Sequence, residues 1–171
     1  MRKTTDVLVI GSGIAGLTFA IKWLSWRSDL KITIVTKNNI EDSNTKYAQG
    51  RYSGSLGSYN DNIEKHILDT IDAGDKLNEE DVVRMVVENG PRYIRELIEW
   101  GTRFDKKENG DFELGREGGH SENRVLHHKD ITGWEIERTL IEKLKEYKNI
   151  EVLKIILPLR LSLSTILVGW L

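Results

Sequence analysis

The chain has 171 residues, with 25 Lys and Arg against 27 Asp and Glu, a net charge of −2 and no cysteine. That length suits one domain or slightly more with a true core, is too short for a two-domain oxidoreductase, and its balanced charge gives no field favouring nucleic acid or a membrane surface. The absence of cysteine excludes disulfides, thiolate metal sites and a cysteine nucleophile, and fits a cytoplasmic location.

Met1-Arg2-Lys3 followed by apolar residues imitates an export signal, but the run lasts only from Val7 to Ile10 before glycine interrupts it, so it reads as a strand. The strand breaks into Gly11-Ser12-Gly13-Ile14-Ala15-Gly16, then a helical pattern from Leu17 to Trp26 and a second strand from Lys31 to Thr36. A GxGxxG between a strand and a helix is the pattern of a dinucleotide pyrophosphate site. Gly11 permits the tight turn, Gly13 lets the backbone approach phosphate, and Gly16 lets the helix pack on the sheet. The phosphates sit on the helix N-terminus, where unpaired amides and the positive end of the helix dipole attract anions. An acidic residue usually ends the second strand and takes the ribose hydroxyls. Here Val35-Thr36-Lys37 stands in its place, which disfavours NAD and puts Lys37 within reach of the adenosine side.

Residues 38–62 form a long polar loop, longer than most connections in compact domains and therefore functional or disordered. Ile63, Ile67, Leu68 and Ile71 define a helix ending at Gly74, and Val82, Met85, Val86, Ile94, Leu97 and Ile98 define a second apolar stripe. Gly90-Pro91 inside that stripe predicts two helices. Phe104 to Arg124 reads as an irregular hairpin region turning at Asn109-Gly110. Thr132 to Tyr147 is an amphipathic helix capped by Asp130 or Thr132, and Ile150 to Leu153 returns as a strand. His127 and His128 fall on a short extended segment, point to opposite faces and cannot form a metal pair; no metal site is expected, and His66 is expected to face solvent.

Two further segments gather hydrogen-bonding side chains around glycines, as a ligand-contacting loop does: Asn44-Thr45-Lys46-Tyr47-Ala48-Gln49-Gly50 and Arg116-Glu117-Gly118-Gly119-His120-Ser121. Following GSGIAG in this order, they closely resemble the flavoprotein family of succinate dehydrogenase, fumarate reductase and L-aspartate oxidase, its oxidase branch above all. His127 to Gly133 matches the segment leading into that family's next helix. The resemblance covers residues 5–153, which corresponds to about the first third of a complete member. It implies an α/β fold: an incomplete, Rossmann-like FAD-binding domain with a parallel sheet over residues 1–153, plus helices and the irregular hairpin region.

Carried over residue by residue, the resemblance places Ser12 to Ala15 at the FAD pyrophosphate, Lys37 at the adenosine, and Asn44, Thr45, Lys46, Tyr47, Ala48, Gln49 and Gly50 along the flavin. Asn44 stands where membrane-bound members have a histidine joined covalently to the flavin, so FAD is expected to be held non-covalently. Glu117 stands where the oxidase has glutamate and the dehydrogenases an uncharged residue. A carboxylate there pairs with a substrate ammonium and selects L-aspartate over succinate, because leaving that charge desolvated and unpaired is costly. His120 binds a substrate carboxylate or moves a proton, unless it only bonds the hairpin backbone.

The implied reaction is FAD-dependent oxidation of L-aspartate to iminoaspartate, which feeds quinolinate and NAD synthesis and makes quinolinate synthase a pathway partner. Two alternatives are a fragment of a fumarate reductase or succinate dehydrogenase-like flavoprotein and a nucleotide-binding module without catalysis. The family's capping domain and its catalytic arginine have no counterpart here, so the 171 residues alone are expected not to turn over aspartate. The pattern also fails at Arg51 to Gly57 and at residues 154–171, an aberrant apolar tail. Both read as reading-frame slips, or else as genuine divergence ending in a short hydrophobic strand; the tail reads alternatively as a truncation, and not as a membrane anchor.

Overall fold

The computed structural model describes residues 3–48, 52–54 and 62–154. In chain order its elements are β1 (Val7–Ile10), α1 (Ile14–Trp26), β2 (Ile32–Thr36), α2 (Asn44–Tyr47), β3 (Tyr52–Ser53), α3 (Ile63–Ala73), α4 (Glu80–Glu99), β4 (Val125–Leu126), α5 (Thr132–Leu144) and β5 (Ile150–Lys154). β1, β2 and β5 make a three-stranded parallel sheet in that order, with Val9 opposite Ile34 and Ile34 opposite Val152. This is the expected mixed α/β fold with a small, incomplete parallel sheet. Gln49, Gly50, most of the 51–57 segment and the tail beyond Lys154 lie outside the described residues.

Strand alternation sorts the sheet's side chains onto two faces. Val7, Val9, Ile32, Ile34 and Ile150 join the main core with α1 and α5, which contribute Leu17, Leu24, Ile136 and Leu140. α4 joins the same core through Leu97, and its Ile94 packs with Phe104 and Leu126 in a second cluster that anchors the hairpin region. The hairpin turns where expected. Gly110 has φ +89°, and the Lys107 amide donates to the Asp111 carbonyl at 2.8 Å.

Several local expectations are corrected. The polar loop after β2 contains a helical turn, α2, because Ser43 caps it by accepting the Lys46 amide at 3.2 Å. α4 is one continuous helix of 20 residues through Pro91, not two. Proline removes one amide donor, but Pro91 lies on the buried face with Val83, Val87, Ile94 and Leu97, and tertiary packing overrides the break. The buried stripe of α4 includes Ile94 and Leu97 as predicted, but in the first half of the helix it is one residue out of phase with the predicted one. Val82 and Val83, Val86 and Val87, and Ile67 and Leu68 are apolar pairs in sequence, and the structure buries Val83, Val87 and Ile67 while Val82, Val86, Leu68 and also Met85 stay exposed. α5 has Ile131 at its cap position. Thr132 Oγ1 instead turns back to accept the His128 amide at 3.0 Å. Among the described residues no helix is long and apolar enough to cross a membrane.

Candidate functional site

The turn from β1 into α1 has the geometry that its glycines predict. Gly11 has φ +102°, in the left-handed region that glycine enters freely, and Gly13 is the extended N-cap of α1. A Cβ on Gly16 would stand 2.2 Å from the Gly11 carbonyl oxygen and 3.2 Å from Val9 Cγ1, so only glycine lets helix and turn approach this closely. Ser12, buried, donates its hydroxyl proton to Thr36 Oγ1 at 3.0 Å and ties the turn to the end of β2. The amide of Ile14 donates to Thr45 Oγ1 at 3.0 Å, while those of Ser12, Gly13 and Ala15 have no acceptor among the described residues. Unpaired amides converging at a helix N-terminus form an anion cradle. Lys37, just beyond β2, is exposed beside it.

α2 is thus docked onto that cradle through Thr45, and its other side rests on α5. A Cβ on Gly133 would meet Thr45 O at 2.1 Å and Ala48 O at 2.7 Å, so the first turn of α5 is cut away to receive α2. Asn44 and Tyr47 remain exposed and Thr45 and Lys46 half-buried, with Thr45 turned to the cradle. Under it lies a residue that sequence reasoning missed. Glu137 of α5 is 2% exposed, and burial pushes its carboxyl up to about 7 because the Ser43 hydroxyl and the Lys46 charge alongside lower it by less. Its signal was a glutamate on the apolar stripe Gly133, Glu137, Leu140 and Leu144.

Glu117 and His120 sit at the two ends of a tight turn in which the His120 amide donates to the Glu117 carbonyl at 3.1 Å and Gly119 has φ +84°. Glu117 is exposed and His120 half-buried, its Nδ1 buried and without a hydrogen bond. The turn leans on α3. Asp69 accepts the amide and the hydroxyl of Ser121, each at 2.8 Å, and the guanidinium of Arg124, which is fully buried. Burial alone would raise the Asp69 carboxyl, but these donors outweigh it and hold it at about 2.

His66 is not solvent-facing as expected. It is 6% exposed and meets the His120 ring edge to face, because it lies on the α3 face turned to this loop. His127 and His128 do not diverge either. β4 ends at Leu126, the chain turns, and both Nδ1 atoms approach the Asp105 carboxylate, at 3.1 Å and 3.4 Å. No cluster able to hold a metal occurs among the described residues.

The two loops are joined through the small sheet. β3, just after the 44–50 segment, pairs antiparallel with β4, just after the 116–122 turn, and the Gly54 amide donates to the Arg124 carbonyl at 3.0 Å. A cavity of about 600 Å³ opens beside them between α3 and α4, lined by Ser53, His66, Thr70, Val87 and Tyr93. Its size is that of a small-molecule or cofactor-ring site.

Known proteins share both sequence and fold with this arrangement. The chain is 45% identical over 150 residues to a rice (Oryza sativa subsp. japonica) protein named L-aspartate oxidase, chloroplastic, covering 88% of this chain and 23% of that protein. It is 43% identical to the L-aspartate oxidase of Streptomyces coelicolor, covering 82% of this chain and 24% of the relative, and 39% identical to that of Clostridium perfringens, covering 90% and 34%. The chain therefore spans about a quarter to a third of the length of these relatives. Among solved structures, an E. coli quinol fumarate reductase chain superposes with a TM-score of 0.82 at 29% identity, covering 89% of this chain and 26% of that one. The Sdh1 complex of Mycobacterium smegmatis gives 0.77, also at 29%, covering 88% and 27%. The family described as FAD binding domain matches residues 6–165, and with the cradle at Gly11 to Gly16 inside that match, the chain belongs to this FAD-binding flavoprotein family.

Proposed function

We propose that this chain is the FAD-binding part of an L-aspartate oxidase, converting L-aspartate to iminoaspartate with FAD held non-covalently. The observation that carries the reading is the docking of Thr45 on the Ile14 amide, which sets the Asn44–Tyr47 strip beside the anion cradle. The residues present fit the cofactor. The cradle amides of Ser12, Gly13 and Ala15 take the pyrophosphate, Lys37 the adenosine side, and Asn44 to Ala48, with Gln49 and Gly50 beyond them, follow the flavin. Asn44 has no imidazole for a covalent link. When bound, FAD would supply the acceptor for the hydride, with its two electrons, that leaves the substrate α-carbon.

The chain's own part is orientation and charge. Glu117, exposed at its turn, pairs with the substrate ammonium, and His120 across the same turn meets a substrate carboxylate. Removing the ammonium partner leaves a carboxylate facing an apolar methylene, which is how Glu117 selects aspartate over succinate. The product feeds a quinolinate-forming condensation, with quinolinate synthase as its partner, in the cytoplasm. The names of the relatives support this reading over a succinate dehydrogenase-like one.

The test is titration of the purified chain with FAD, followed by denaturation and then by ligand difference spectra. All flavin should be released on denaturation, and L-aspartate should perturb the bound flavin spectrum at lower concentration than succinate. Retained flavin, preference for NAD, or a preference for succinate that Glu117→Gln leaves unchanged would each overturn it.

A further inference from the structure

One face of α3 carries His66, Asp69 and Ala73 at helical spacing, and each abuts a different residue of the 119–121 segment. The His66 and His120 rings lie edge to face with centroids 5.8 Å apart. Asp69 holds the Ser121 amide and hydroxyl, each at 2.8 Å. A Cβ on Gly119 would stand 3.1 Å from Ala73 Cβ. Lys65, one turn before Asp69, extends the contact by pairing with Glu122 at 2.8 Å. A glycine-rich turn whose residues 116–119 are exposed has no packing of its own to fix a side-chain rotamer, so the orientation of His120 comes from α3.

We propose that His66 is a positioning residue for His120: its buried ring is the wall against which the His120 imidazole lies, while the bond from Asp69 to the next amide keeps the turn from lifting off. Aromatic rings at this separation prefer the observed edge-to-face geometry, which specifies orientation as well as contact. The His66 ring also borders the cavity between α3 and α4 beside Thr70 and Val87. The functional value of this arrangement rests on the proposed role of His120 toward a dicarboxylate.

The experiment is side-chain NMR of the full chain carrying isotope-labelled histidine, whose four residues are assigned by single substitutions, with succinate as the dicarboxylate probe. In the succinate-free spectrum, native His120 should show one ring environment with a defined rotamer and tautomer. His66→Phe, which keeps an aromatic edge, should preserve that signature, and His66→Ala should lose it while the amide spectrum stays dispersed. Succinate binding to His66→Ala should weaken about tenfold and recover in His66→Phe. A His120 signature unchanged in folded His66→Ala overturns the inference, and if that variant does not fold, His66→Gln gives the same reading. Should succinate fail to perturb His120 even in the native chain, the dicarboxylate role of His120 fails, while the succinate-free spectra still decide whether His66 positions it.

Discussion

The amide of Ile14, the first residue of α1, donates to Thr45 Oγ1 at 3.0 Å, joining two segments 31 residues apart. One of the amides that a helix start leaves unpaired is thereby used to seat α2, the helix proposed to follow the flavin, and its neighbours have no acceptor among the described residues. Thr45→Val keeps the shape and removes the acceptor. It should weaken FAD binding about tenfold and cost about 1 kcal/mol of stability, whereas Thr45→Ser should retain both. Flavin fluorescence titration and denaturant melts check this, and an unchanged FAD affinity in Thr45→Val would refute the seating role.

Gly133 permits the other half of that seating. Its missing Cβ leaves room for the carbonyls of Thr45 and Ala48, which a methyl would meet at 2.1 Å and 2.7 Å. Backbone atoms cannot swing aside as a side-chain end can, so Gly133→Ala must push α2 away from α5. The expected result is a stability loss of about 2 kcal/mol together with weaker FAD binding, although Gly133 is not among the residues proposed to touch FAD. Normal FAD affinity in this variant would show that the position of α2 does not matter for the cofactor.

How much of this was legible in the sequence follows from the range of the interactions. The βαβ unit and its glycines were readable because strand, turn and helix signals are local and agree with one another. The phase of the first half of α4 was not, because Val82-Val83 and Val86-Val87 offer two equivalent registers and only the partner surface chooses, whereas Ile94 and Leu97 were readable. The continuity of α4 through Pro91 depends likewise on burial, not propensity. In the candidate site, the residue types at Glu117 and His120 were visible, but their support was not. His66 and Asp69 belong to a helix more than 50 positions away, and nothing local marks a histidine as buried against another histidine.

Asp69 gives a pH prediction with a definite sign. Its carboxyl is held at about 2, below its ordinary 3.8, so the folded state favours the ionised form. That contribution is fully present above pH 3.8 and is lost as pH falls through about 2, amounting to about 2 kcal/mol. Asp69→Asn should flatten this acid limb. At neutral pH it should cost about 3 kcal/mol, because the fully buried Arg124 loses its carboxylate. Urea melts at pH 2.5, 4 and 7 distinguish the cases, and an acid limb as steep in the variant as in the native chain would reject the assignment.

Glu137 carries the opposite sign. Its carboxyl is pushed up from 4.5 to about 7 by burial, so the folded state favours the protonated form and binds more protons than the unfolded chain between those values. Stability is therefore undiminished below pH 4.5, falls as pH rises toward about 7, and is lower by about 3 kcal/mol on the alkaline side. Glu137→Gln removes the ionisation and keeps the volume. It should gain stability over the native chain at pH 8 and differ little from it at pH 4.5. Because the carboxyl lies beneath Ser43 and Lys46, at the cap of α2, the same substitution should also remove any loss of FAD affinity between pH 6 and pH 8. Parallel melts and FAD titrations across that range check both parts, and equal destabilisation of Glu137→Gln at pH 5 and pH 8 would mean that the buried carboxyl does not titrate there.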